Sequence, residues 1–172
     1  MACQVLTVHC RADADPSTCT KPTPNVICEA AKILAKASHG VLGTASSTGN
    51  PYAVPVTLAL LEGDIYFHCA KREGHRTKNL RQNSRVSLCV IDHASVVPGA
   101  FNVDYQSLLV EGRAVEVTDL DKKRRFLKAF CLYRDPTLTD EAIEAYSRRF
   151  CDAAALWCIR AEHVSVKATT PD

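Results

Sequence analysis

Ile65-Tyr66-Phe67-His68-Cys69-Ala70 runs directly into Lys71-Arg72-Glu73-Gly74-His75-Arg76-Thr77-Lys78, and residues 79–84 and 85–90 follow without a break. The first six residues alternate and are rich in aromatic and branched side chains, which predicts a strand. A basic loop with one glycine comes next, then a short helix, then a second strand. Cations at the end of a strand and the start of a helix suit a phosphate. The helix N-terminus offers unpaired N–H groups and a partial positive charge, to which lysine and arginine add full charges. The competing reading of Lys71, His75, Arg76 and Lys78 is a solvated basic loop.

On the N-terminal side, Tyr52, Val54, Val56, Leu58 and Leu60 alternate along a long strand interrupted by Pro51 and Pro55. Proline donates nothing to a sheet ladder, so Pro55 marks an edge, a bulge or a bend. Residues 41–46 form a short strand before the turn Ser47-Thr48-Gly49-Asn50, and Glu62-Gly63-Asp64 turns the chain back into Ile65. Further out, Asn25 is a candidate N-cap for a helix through Ala37. On the C-terminal side, residues 85–92 read as a strand, 93–102 as an irregular loop, and 105–117 as a long strand kinked at Gly112. Asp119 caps a helix to about Tyr133, Asp140 starts another to Phe150, and 154–166 is a last strand. Five or six strands between turns, with few helices, predict a mainly β, small antiparallel barrel with flanking helices. The helix after Lys71 is too short to cover a parallel sheet.

The 172 residues suffice for one domain, expected over 25–172. Residues 1–24, broken by Pro16, Pro22 and Pro24, read as a loosely ordered arm available to pack on a partner. A formal charge of +2 with 23% charged residues gives no global reason to bind nucleic acid. No apolar run approaches the ~20 residues of a membrane span, and no signal peptide is apparent, so a cytoplasmic protein is expected. Nine cysteines without a CxxC pair predict buried or tail thiols in a reducing compartment rather than a disulfide framework or a metal site.

Several of these segments resemble one family. Gly49-Asn50-Pro51-Tyr52-Ala53-Val54-Pro55-Val56 is similar to the strand YPYAVPL of Nim-like proteins, the nitroimidazole-resistance-related branch of the pyridoxamine 5′-phosphate oxidase-like, FMN-binding split barrels. Residues 65–71 resemble their IYFHxAK, Gly74-His75-Arg76 their GHK, 79–87 their NIRRNPRVS, Val96-Val97-Pro98 their VVP, and 105–114 their YRSVIVFGRA. The likeness spans residues 26–167 in the same order. This chain carries one extra residue between Lys71 and Gly74, and Ser84 where proline is common.

The resemblance implies a six-stranded antiparallel split barrel forming a homodimer, with FMN at the subunit interface and a small-molecule electron acceptor. Lys71, His75, Arg76 and Lys78 are the phosphate candidates, with Lys71 and Arg76 foremost. Thr77 offers a hydroxyl and helix-terminal N–H groups. Val56 and Thr57 would meet the flavin ring mainly through backbone groups, with Ser87 adding a hydroxyl. His68 is the candidate for a catalytic proton or ligand role. Trp157, Tyr105 and Ser107 are candidates for contacts from the other subunit, with core packing the default for Trp157. Haem is the alternative cofactor, for which His68, His75, His93 and His163 would be the nitrogen ligands, and a flavin or haem carrier without turnover is the alternative function.

Overall fold

The computed structural model describes residues 5–9 and 22–169. Six strands form one closed antiparallel barrel: β1 (His39–Ala45), β2 (Pro51–Leu61), β3 (Asp64–Ala70), β4 (Arg85–Val97), β5 (Asn102–Glu116) and β6 (Ala154–Thr169), in the spatial order β1-β2-β3-β6-β5-β4 and back to β1. The inward positions of each strand fill the interior. Leu42, Val56, Leu58, Ile65, Phe67, Leu88, Val90, Leu108, Val110, Trp157 and Ile159 belong to a single packed core.

Helix α1 (Pro24–Lys36) seats Ile33 and Leu34 in that same core. It begins two residues earlier than expected, with Thr23 rather than Asn25 at the N-cap, because Pro24 suits the first helical position. Helices α3 (Leu120–Arg134) and α4 (Asp140–Ala153) follow β5. Phe126 and Phe130 of α3 pack on Ala59, Tyr66, Leu156 and Cys158, the outward side chains of β2, β3 and β6. The Asp119 carboxylate accepts from Lys122 N at 2.7 Å, the expected cap.

Two segments differ from expectation. The anticipated loop over 93–102 is mostly strand: a bulge between Ile91 and His93 resets the register, and pairing continues through Val96↔Val103 and Val97↔Asn102. Only residues 98–101 remain as the turn. Residues 5–9 also depart from a loosely ordered arm, for they dock on this chain's own barrel. Leu6 is a core residue, Thr7 N donates to Gly63 O at 2.7 Å, and His9 N donates to Ala161 O at 2.7 Å. The His9 Nε2 and Asp64 Oδ1 atoms lie 3.0 Å apart. The rest of the arm lies outside the described residues.

Cys69, Cys131, Cys151 and Cys158 are buried free thiols. Burial pushes Cys158 up to about 11 and raises Cys131 as well, which keeps both as unreactive thiols. Cys3, Cys10 and Cys19 are outside the described residues. No described helix is long and apolar enough to cross a membrane.

Candidate functional site

The barrel opens between β2 and β3. β2 and β3 pair only from Leu58↔Phe67 to Leu61↔Asp64. Beyond that point β2 continues from Thr57 back to Pro51 paired only with β1, and β3 continues through His68, Cys69 and Ala70 paired only with β6. Residues 51–57 therefore present an edge with no strand partner among the described residues. In an antiparallel ladder successive residues turn their backbone groups alternately to one neighbour and the other. Of Val56 and Thr57, one thus faces β1 and the other the split. The Val56 side chain is buried in the core, so only its backbone is a candidate contact; Thr57 stands on the outer face.

The short helix α2 (His75–Gln82) sits at this opening. Asn79, almost fully buried, donates through Nδ2 to Thr44 Oγ1 at 3.1 Å, and Thr44 donates to Tyr52 O at 3.2 Å. The His75 ring lies 4.4 Å from the Tyr52 ring. These contacts tie α2 to both β1 and β2. Gly74 precedes the helix without a capping side chain, and no acid lies in the first turn. The N–H groups at the start of α2 are therefore left without intrahelical acceptors.

Lys71 and Arg72 are exposed at the end of β3, with Lys71 N held by Ala153 O at 2.9 Å. Arg76 is half-buried with its guanidinium carbon 5.8 Å from the Phe67 ring centroid, and its Nε is buried without a hydrogen-bond partner among the described residues. An unpaired buried N–H of a cation is costly, and an anion at the helix start would satisfy it. Thr77 corrects one expectation. Its side chain is buried, with Oγ1 4.0 Å from Cys69 Sγ, so it anchors the helix and offers the site only its backbone N–H.

His68 stands one residue beyond the last β2–β3 pair, on the outer face of β3 beneath α3. Its ring meets Phe130 edge-on at 4.8 Å, and Nδ1 is buried with no partner among the described residues. Burial, and then the charges of Arg134 and Arg76, hold its imidazole below the ordinary value of 6.5. The fold therefore favours neutral His68, while the unfolded chain binds a proton below pH 6.5. That stability is fully present above the unfolded value and is lost as pH falls through 6.5 toward the depressed folded value. The wild-type Tm is expected to drop more than that of His68→Gln across this acidic window. Parallel curves for the two proteins would show that His68 is not held neutral.

The remaining candidates lie elsewhere. Trp157 is buried in the barrel core, its ring parallel to Phe67 at 6.4 Å between centroids, so contact with a flavin is closed to it and core packing is its role. Ser87 pairs with Gly43 on the outer face of β4, away from the split. Ser107 and Tyr105 follow on β5, with Lys167 Nζ 5.8 Å from the Tyr105 ring centroid. Within the chain none of these three is brought to Lys71, His75 and Arg76. They share an outer sheet face that α3 and α4 leave uncovered, where Val41, Ile91 and Leu109 are exposed.

Two contributors escaped the sequence reading. Arg134 reaches back from the end of α3, with its guanidinium carbon 5.4 Å from the Phe130 ring centroid and Nη2 donating to Ser38 O at 2.5 Å. Nothing local marks its role, because Ser38 and His68 are remote from it in sequence. Asn79 did carry a signal: an asparagine in a short helix is an uncommon choice unless its amide has a buried partner.

A closed antiparallel barrel parted between two strands, with a short cationic helix at the gap, defines a split-barrel protein. The pyridoxamine 5′-phosphate oxidase family model matches residues 28–168, and the chain belongs to that family. Among solved structures, a conserved hypothetical protein from Mycobacterium tuberculosis is similar, with 19% identity, 94% of this chain and 90% of that chain covered, and a TM-score of 0.71. A candidate 5-nitroimidazole antibiotic resistance protein from Bacteroides thetaiotaomicron shares 18% identity over 80% of this chain and 81% of that one, with a TM-score of 0.64. The flavocytochrome Anf3 from Azotobacter vinelandii has 18% identity, coverage of 88% and 69%, and a TM-score of 0.64. Among curated proteins, none matches this sequence.

Proposed function

We propose that this protein binds FMN at the split and acts as a flavin-dependent oxidoreductase of the Nim-like type. Its acceptors would be small molecules, nitroaromatics such as 5-nitroimidazoles among them. The observation that carries this reading is the meeting of three features at one opening: the unpaired edge of β2, the uncapped start of α2, and the cations Lys71 and Arg76 with the buried, unpartnered Arg76 Nε. Each suits a different part of FMN. The helix start and the cations fit the phosphate. The alternating donors and acceptors of a strand edge fit the rim of the isoalloxazine ring.

In this reading Lys71, Arg76 and the first N–H groups of α2 hold the phosphate, and His75 is fixed against Tyr52 as a wall of the site. The β2 backbone around Val56 and Thr57 orients the ring. His68, neutral and beside the opening, is the residue placed to hold or pass a proton at its imidazole. FMN would supply the electron or hydride chemistry; the chain supplies orientation and exclusion of water. The uncovered face of β1, β2, β4 and β5, with Pro51, Ala53 and Pro55 exposed beside Val41 and Ile91, suits a second copy of the chain. Such a homodimer would bring Ser87, Tyr105 and Ser107 to the partner's site. Free buried thiols fit work in the reducing cytoplasm.

Two observations favour a second reading, a flavin or haem carrier without turnover: His68 Nδ1 has no partner among the described residues, and the similar Anf3 protein is a flavocytochrome. The absorbance of the purified protein separates these cases. The two bands of oxidised flavin, from a particle of dimer mass, are expected. A Soret band would replace FMN by haem. A colourless protein that takes up no added FMN would end both readings. Anaerobic reoxidation of the reduced holoprotein by a nitroimidazole then distinguishes enzyme from carrier.

A further inference from the structure

A second concave site lies at the other end of β3, independent of the split. Leu61, Tyr66, Phe126 and Ala129 floor a cavity of about 110 Å³ between the β2–β3 turn and α3, and Glu62, Lys122 and Arg125 form its rim. The volume is close to what one six-membered ring needs, since an apolar cavity of roughly 150 Å³ takes up benzene. The floor is aromatic, with the Tyr66 and Phe126 rings 4.8 Å apart. A ring seated there would lengthen an existing row, because Phe126 and Phe130 are 5.9 Å apart and Phe130 meets His68 at 4.8 Å.

The rim decides the ligand's charge. Glu62 pairs with Arg125 at 3.2 Å. Lys122 has no carboxylate partner among the described residues, and its Nζ stands 5.9 Å from the Tyr66 ring centroid, at the edge of the floor. Two cations and one carboxylate leave a single positive charge beside an apolar slot.

We propose that this cavity binds a monocyclic aromatic carboxylate, with its ring on Tyr66 and Phe126 and its carboxylate at Lys122 and Arg125. The carboxylate satisfies the unpaired ammonium while the ring fills the slot. Benzoate is the probe, with benzamide as its neutral counterpart. Both are titrated into the full chain while the ring resonances of Tyr66 and Phe126 and the Ala129 methyl are followed by NMR. Saturable shifts at these groups are expected with benzoate. Loss of one charge-assisted contact in Lys122→Gln is expected to weaken binding about tenfold. Ala129→Leu, which fills the slot, is expected to abolish it. Absence of saturation, equal affinity for benzamide, or unchanged affinity in Lys122→Gln would each overturn the proposal. The exposed Lys122 variant leaves the core intact, so the result does not depend on the folding of Ala129→Leu. FMN uptake is measured separately, so failure at one site is not mistaken for failure at the other.

Discussion

Lys71→Ala combined with Arg76→Ala is expected to weaken FMN binding by at least ~100-fold while leaving riboflavin within a few-fold of wild type, as each charge-assisted hydrogen bond contributes about 1.5–3 kcal/mol. Riboflavin has the same ring and sugar chain but no phosphate, so the ratio of the two affinities reports the phosphate contacts alone. Lys71 is exposed and solvent-screened, so its share belongs at the low end of that range. Arg76 is more sheltered and carries the larger share. Its guanidinium also packs toward Phe67, and Arg76→Lys retains the charge while removing the planar fork. Fluorescence quenching of the two flavins on titration with each variant measures the ratio. Equal loss of both ligands would show that these cations do not hold the phosphate.

Gly112→Ala is expected to cost about 3–5 kcal/mol, among the largest effects available from adding a single methyl group. A Cβ at Gly112 would lie 2.1 Å from the carbonyl oxygen of Arg160 and 3.0 Å from its carbonyl carbon. Both are backbone atoms of the neighbouring strand, so no side-chain rotation relieves the clash. The ladder between β5 and β6 shifts register between Glu111 and Gly112, and the missing side chain is what lets the two backbones approach there. Denaturant unfolding of the variant checks this. A midpoint within error of wild type would mean that β5 and β6 can separate at the bulge at little cost. Gly43, whose added Cβ would be 3.3 Å from Ser87 O, serves as the milder comparison.

The barrel was legible because its strands carry a period of two and its turns carry glycine and proline. Glu62 and Gly63 both adopt positive φ, 52° and 85°, as a tight two-residue hairpin turn requires. Legibility failed where distant contacts decide. The segment after Asp92 reads as irregular because His93, Ala94 and Ser95 break the apolar alternation, yet a bulge lets both strands go on pairing as an exposed ribbon. Residues 5–9 read as part of a loosely ordered arm because Pro16, Pro22 and Pro24 break the first 24 residues and no sustained period surrounds Leu6. Its burial depends on a slot offered by strands far along the chain.

The site shows the same division. The anion-binding character of Lys71 to Lys78 is local, since charge, glycine and helix start are contiguous in sequence. The inward or outward direction of each side chain is not. Trp157 and Thr77 face the core because of where their strand and helix dock, and Arg134 comes to His68 from a separate helix.

The place of β6 also bears on how the molecule comes into being. This strand is the last described element, and it lies between β3 and β5, joined to both. Residues 5–9 reach Ala161 of the same strand. During synthesis, therefore, residues 5–9 and the five strands before β6 must wait, with one edge of β3 and one of β5 open, until residues 154–169 leave the ribosome. Waiting with open edges invites pairing with other chains, so the yield of native protein should depend on how quickly β6 is delivered.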